Sequence, residues 1–460
     1  MRNTVLATAV AATLALAAPR ALAEARGAAT KADIEAVQAQ MQALVERLNK
    51  LEVANASLQS ENAELKEVVE RRDAETDYLK AQTRELREEA AVASNEISKV
   101  KGSDWATRVR GRGDLRFRQE NISTERVVSG NVEDAADRAR QRVRVRLGFD
   151  AKVTDTLNAT LLLATGADDP RSSNQTLGGT GTRKAIGVDM AYADWKFMEG
   201  ANLVLGKQPY TIWRPGQSLF YDGDFNPEGG AVRFERGMLF ATAYGWWITE
   251  QFDSNPAKEN SDANIFGLQA GLKFPLFGGE TRIAAQYYDC GACVTNSPLY
   301  NNSSNGNTTY TIPGDFYSGT TLRNYLKYDY QIVELAGQVG LTAFNQPVAI
   351  WANYAQNTAS GVKFDTAYAV GAMLGKASNA KTWEAGLFYQ SLDKDALFGQ
   401  IVDSDFGDGR TDSEGWVLKA GYAPVKNFTM NATYLVSTLN KDVGTELSYD
   451  RLQLDLNYKF

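Results

Sequence analysis

The sequence predicts an all-β transmembrane barrel of about sixteen antiparallel strands, preceded by an α-helical coiled coil. Three observations carry this prediction. Beyond Trp105, apolar and polar residues alternate with period two. The links between the alternating segments are short at one end and long at the other. Before residue 101, apolar residues recur instead with period seven.

Composition narrows the function classes. The chain has 460 residues, is 43% hydrophobic and carries a formal charge of −7, which argues against bulk nucleic-acid binding. No apolar stretch of about 18 residues follows the N-terminus, so no membrane-spanning helix is expected. A barrel is compatible with this, because each strand turns only every second side chain to lipid. Histidine is absent, which removes Ser-His-Asp and Cys-His catalysis and the commonest zinc ligand. No catalytic set, cofactor or metal is expected. Cys290 and Cys293, the only cysteines, read as a local loop disulfide in an exported chain.

The first 23 residues read as a secretory signal peptide. Arg2 supplies the positive start, Val5 to Ala18 the apolar run, and Ala21-Leu22-Ala23 the small residues before the cut. Residues 24–104 are then a periplasmic coiled-coil segment. Ile34, Met41 and Leu48 share one seam with Val37, Leu44, Leu51, Leu58 and Leu65, and no Gly or Pro interrupts residues 31–100. Such a helix exposes its seam unless copies associate. Asn55 and Asn62 in the seam cost stability and fix register. The mixture does not itself rank dimer against trimer. Arg47-Leu48-Asn49-Lys50-Leu51-Glu52, which resembles a trimerisation pattern, favours a homotrimer.

The barrel domain spans 105–460, in segments from 107–120 to 448–460. The last is plainest: Leu452, Leu454, Leu456, Tyr458 and Phe460 fall on one face, and Arg451, Gln453, Asp455, Asn457 and Lys459 on the other. A strand with one apolar and one charged face needs lipid on one side and water on the other. Short links near Thr154, Glu199, Gly237 and Asn379 alternate with long loops rich in Gly, Asn, Ser and Asp. That asymmetry places both barrel termini on the periplasmic side.

The first segment carries Arg108, Arg110, Arg112, Arg116 and Arg118 on one face, with Asp114 and Glu120. The second carries Arg138, Arg140, Arg142, Arg144 and Arg146. An arginine facing lipid at mid-membrane costs about 2–4 kcal/mol, so these columns should line a water-filled bore. Arg110, Arg112, Arg116, Arg118, Arg140, Arg142, Arg144 and Arg146 are the expected pore-lining set. Charged ladders of this kind select ions. Pairing with acids from other strands is the plainer alternative.

The opening run Val109 to Arg118, Leu205-Gly206-Lys207-Gln208-Pro209, Trp213-Arg214-Pro215 and Asp222 to Gly229 resemble the Gram-negative outer-membrane porin superfamily. The closest resemblance is to its "putative porin" group with an N-terminal coiled coil. The resemblance implies a trimeric channel in the outer membrane. It implies a third loop, here about 209–228, folded inward as a constriction bearing Trp213, Arg214, Asp222, Asp224 and Glu228. It also implies that Tyr458 and Phe460 signal to the barrel-assembly machinery. The expected function is passive diffusion of small polar or ionic solutes, leaning to anions. The competing reading is a structural tether from outer membrane to cell wall. Expected partners are outer-membrane lipid, further copies of the chain, the assembly machinery and the cell wall. Residues 289–329 read as a lid or a phage-exposed loop, and the run Asp403 to Asp408 reads as a solvated loop that resembles a cation site only loosely.

Overall fold

The computed structural model describes residues 31–100, 106–166, 168–250, 262–294, 299–312 and 323–460, with backbone alone at 31–34, 93, 95–100, 106, 312 and 323. The expected signal peptide, 1–23, lies outside the described residues. The chain divides into two units between Gly102 and Ser103.

The first unit contains one α-helix, α1, Lys31–Val100, of 70 residues. At 1.5 Å rise per residue it is about 100 Å long. Ion pairs one turn apart line it, Lys50 with Glu46 at 2.7 Å and Arg71 with Glu67 at 2.6 Å. The apolar seam stays in solvent: Val37, Met41, Leu44, Leu51, Leu58, Leu65 and Leu86 are all more than half exposed.

The second unit is a closed antiparallel barrel of sixteen strands. They are β1 Val109–Val128, β2 Arg138–Lys152, β3 Leu157–Thr165, β4 Ile186–Met198, β5 Ala201–Lys207, β6 Glu228–Arg236, β7 Leu239–Thr249 and β8 Ala263–Leu276. The second half is β9 Gly278–Gly291, β10 Gln331–Ala343, β11 Gln346–Asn357, β12 Thr366–Gly375, β13 Thr382–Leu392, β14 Ser413–Val425, β15 Phe428–Leu439 and β16 Leu447–Lys459. Each strand pairs with its sequence neighbours. Closure comes from β1, where Arg118 stands opposite Arg142 of β2 and Asp455 of β16. The barrel therefore has no free sheet edge. At the closure Phe460 exchanges backbone hydrogen bonds with Gly113 at 2.9 and 3.0 Å. A Cβ at residue 113 would sit 2.5 Å from the Phe460 ring, so only glycine fits there.

Short turns follow the even-numbered strands. Phe344 and Asn345, both at positive φ, make the two-residue turn between β10 and β11 that matches strand twist. One strand departs from the sequence expectation. β1 runs on past Glu120 to Val128 and returns as Asn131–Asp134. The cause is local: Ser129 and Gly130 adopt φ of 51° and 86°, a hairpin turn that lets residues 125–128 pair with Asn131–Asp134.

Side-chain parity sorts the wall. Leu115 and Phe117 of β1 are 43% and 40% exposed, and Leu147 and Phe149 of β2 lie on the same outer face. The neighbouring Arg118, Arg142 and Arg144 are only 4%, 9% and 8% exposed. The apolar face thus points out and the guanidiniums point in.

Candidate functional site: an arginine wall and the loops seated on it

In register, Arg116 lies opposite Arg144 and Arg118 opposite Arg142. Like charges directly across a sheet repel. Two acids of β1 relieve this by reaching diagonally. Asp114 takes Arg144 at 2.9 Å and Arg146 at 2.8 Å. Glu120, wholly buried, takes Arg140, Arg142 at 3.6 Å and, from β16, Arg451 at 2.6 Å. Arg112 pairs with Asp150 at 2.8 Å. Arg118 grips Asp455 with two bonds, at 2.7 and 2.9 Å. Arg116 differs: its guanidinium donates to the amide oxygen of Asn174, at 2.6 and 3.2 Å. Arg110 is exposed, opposite Asp150.

The connection between β5 and β6, residues 208–227, crosses the lumen. Inward-facing amides of the far strands hold it in place. Gln269 of β8 accepts from the Trp213 N–H at 2.7 Å and donates back to its carbonyl. Gln338 of β10 accepts from Gly216 N–H, and Gln390 of β13 from Leu219 N–H. Asn353 of β11 donates to Ser218 Oγ. The Tyr221 hydroxyl donates to Glu334 at 2.6 Å. The sequence signal for them is an amide on the inward parity of its own strand, odd for Gln269 and Asn353 and even for Gln338 and Gln390.

The predicted loop residues take different roles. Trp213 is half-buried against Phe240. Arg214 is used inside its own loop, bonded to the Tyr221 carbonyl and stacked 4.5 Å over Tyr210. Asp222 accepts from the backbone N–H groups of Asp224 and Ser404. Asp224 reaches the wall, 3.4 Å from Arg144, and accepts from Ser173 N–H and Oγ–H. Glu228 opens β6 and pairs with Lys207 at 2.9 Å. Tyr458 and Phe460 stay on the outer face with ring centres 6.2 Å apart.

The expectation of a solvated loop at Asp403 to Asp408 is corrected. Residues 393–412, between β13 and β14, fold inward: Leu397, Phe398, Ile401 and Phe406 are at most 1% exposed. The described part of 292–330 packs on them, with Asn307 donating to the carbonyls of Lys394 and Leu397. Arg171 fastens the assembly, donating to the carbonyls of Gly399, Val402 and Gly409 and to Asn305 Oδ1. The reason is apolar area. These loops carry Phe and Ile side chains, and the wall opposite presents Trp246, Tyr288, Trp351 and Phe388 inward; together they form one core. The lumen is therefore largely filled by this apolar core on the β7–β13 side, with inward amides and Glu334 among it, and is lined by charge along β1, β2 and β16. Cys290 and Cys293 are buried in this region, with Cα atoms 5.6 Å apart, in the range of a disulfide pair.

Polar cavities remain beside the crossing loop. One of 480 Å³ is lined by Asp168, Asp189, Lys207, Asp224 and Glu228. Another of 240 Å³ lies between Gln217 and the wall, lined by Arg118, Asp403, Asp405, Lys419 and Asp455.

The two inward loops meet at a pair of acids. Asp222 N–H donates to the Ile401 carbonyl, and Asp403 N–H to the Leu219 carbonyl. Burial raises the Asp222 carboxyl well above its usual value, and Asp403 and Asp224 add to the effect. Burial, then Asp405, push the Asp403 carboxyl up to about 6. Asp224 behaves oppositely: burial works to raise it, but Arg144, Arg116 and Arg146 hold it below the usual carboxylate range. For Asp222 and Asp403 the folded value exceeds the unfolded one. Their contribution to docking is fully present below about pH 4. It is lost as the pH rises through the value of about 6 for Asp403. Single-channel recordings are accordingly expected to flicker between substates more often at pH 7.5 than at pH 5. Equal flicker at the two pH values counts against this junction as a weak point.

A closed barrel with a charged inner wall and a loop laid across its lumen defines an outer-membrane channel fold of the porin type. The chain belongs to the family described as "Putative porin", whose model matches residues 121–331 and 324–460. Among solved structures it is similar to the high-pH structure of Pseudomonas putida OprB, at 13% identity over 77% of this chain and 95% of that one, TM-score 0.47. It is similar to a loop L8 deletion mutant of OmpT, an outer-membrane protein of Vibrio cholerae, at 15% identity over 76% and 99%, TM-score 0.44. A triple mutant of Rhodopseudomonas blastica porin is matched at 12% identity over 76% and 100%, TM-score 0.40. No curated protein matches the chain.

Proposed function

We propose that the protein is a passive diffusion channel for small polar and ionic solutes, with a preference for anions. The supporting observation is the inward arginine wall of β1, β2 and β16, with a cross-lumen loop narrowing the path beside it. Arg112, Arg116, Arg118, Arg140, Arg142, Arg144, Arg146 and Arg451 face Asp114, Glu120, Asp150, Asp224, Asp405 and Asp455, so positive charge is in excess along that wall, while the two cavities beside the loop are lined by more acids than bases. An excess of that sign in a narrow polar gap concentrates anions. Planar-bilayer recording is the test: stable conductance steps, in triplets for a trimer, are expected.

The second reading is a tether, in which α1 joins the outer membrane to the cell wall. The apolar core within the lumen favours it, because such a filling narrows the passage. A barrel that never conducts supports the tether over the channel.

The remaining proposals concern processing and assembly. Residues 1–23 are removed on export, α1 associates as a trimeric coiled coil in the periplasm, and Tyr458 with Phe460 addresses the assembly machinery. Cys290 and Cys293 form a disulfide in the oxidising compartment. Deleting residues 31–100 is expected to weaken the oligomer in size-exclusion and cross-linking measurements while the conductance steps persist. Loss of the steps would show that pore and helix are not separable.

A further inference from the structure

Asp405 lies on the inward loop 393–412, yet its carboxylate sits on the wall. It is 3.1 Å from Arg118 Nη1 and 2.7 Å from Arg451 Nη2. Both arginines already have wall partners. Arg118 holds Asp455 with two bonds, and Arg451 holds Glu120 at 2.6 Å. Glu120 is also shared with Arg140 and Arg142. With Asp405 removed, four guanidiniums would face two carboxylates. The wall therefore has a seat for one more carboxylate, and the loop fills it.

The seat is placed for exchange. The Asp405 side chain is 26% exposed, against 0% for Glu120 and 11% for Asp455, so it is the outermost acid of the set. The 240 Å³ cavity lies beside it, lined by Arg118 and Lys419 and also by Glu384, Asp403 and Asp455. Burial alone would raise the Asp405 carboxyl. The Arg451 and Arg118 guanidiniums outweigh it and hold the group far below the usual carboxylate range. Protonation at ordinary pH therefore does not empty the seat. Another carboxylate can, because a swap leaves each guanidinium with a charged partner and strands no buried charge.

We propose that Arg118 and Arg451 form a binding seat for small organic carboxylates, and that Asp405 is a tethered occupant which such solutes displace. The proposal deepens the channel reading by naming a solute class, and rests on it for its role in passage. Equilibrium dialysis of labelled benzoate against the full-length protein in detergent tests the seat without requiring conduction. Asp405→Ala is expected to bind benzoate about tenfold more tightly than the unaltered protein, the factor expected when a seat vacant a tenth of the time becomes fully vacant. Asp405→Glu refills the seat and should bind as weakly as the unaltered protein. Heat-modifiable mobility on gels checks that both variants fold. Equal benzoate affinity in folded Asp405→Ala and unaltered protein overturns the seat. So does tight binding in Asp405→Glu equal to that in Asp405→Ala. Bilayer recording of the unaltered protein runs in parallel. Absence of conductance there sinks the channel reading alone, and dialysis still decides the seat.

Discussion

Glu120→Gln is expected to destabilise the barrel by about 3 kcal/mol, because removing one partner of a buried ion pair leaves uncompensated charge behind. The carboxylate is wholly buried and is the shared acceptor of Arg140, Arg142 and Arg451. It also joins the first strand to the last. Glutamine keeps the size and one acceptor oxygen but loses the charge, so the three guanidiniums lose a common counter-ion. Arg451 keeps Asp405 at 2.7 Å, which holds the loss below the upper end of such effects. Urea unfolding of the folded barrel in lipid vesicles reads the change. A difference within about 0.5 kcal/mol, the scale of an ordinary surface substitution, would show that the network carries no stability.

The second large effect is expected at Asp224. Its carboxylate links the crossing loop to Arg144 and to Ser173 N–H and Oγ–H. In Asp224→Ala, Arg144 retains Asp114, so the wall keeps its charge while the loop loses its hold on it. The passage gains one net positive charge and widens. One unit charge about 4 Å from a solvated ion is worth about 1 kcal/mol, favourable to an anion and unfavourable to a cation, which together correspond to roughly a thirtyfold rise in the anion-to-cation permeability ratio. Zero-current potentials in a salt gradient measure that ratio. A ratio that stays constant, with unchanged conductance, would place the ion path away from Asp224.

Much of this architecture is legible from residue parity. Leu157–Thr165 and the start of β2 at Arg138 fall where alternation begins and ends, and the short turns fall where Gly or Asn permits positive φ. The arginine columns are equally legible, because only one face of β1 and β2 can tolerate lipid. Their pairing is not. Glu120 and Arg451 are 331 residues apart, and Arg118 and Asp455 are 337 apart, contacts made only when the barrel closes. The filling of the lumen is legible only in part. In β7, Phe240, Tyr244 and Trp246 point inward while Leu239 and Trp247 point outward. A strand apolar on both faces has no aqueous side, and that doubled pattern marks where a loop core must dock. Nothing local identifies 393–412 as the loop that supplies it. Its Asp, Gly and Ser residues read as surface, and its buried Leu397, Phe398 and Ile401 are too few to show a period.

The inward arginines are held to govern which ions cross. The zero-current potential of the double variant Arg142→Glu, Arg144→Glu in a potassium chloride gradient tests this most directly. A shift from the anion side to the cation side is predicted. A potential identical to that of the unaltered protein, with the barrel folded and conducting, would contradict it.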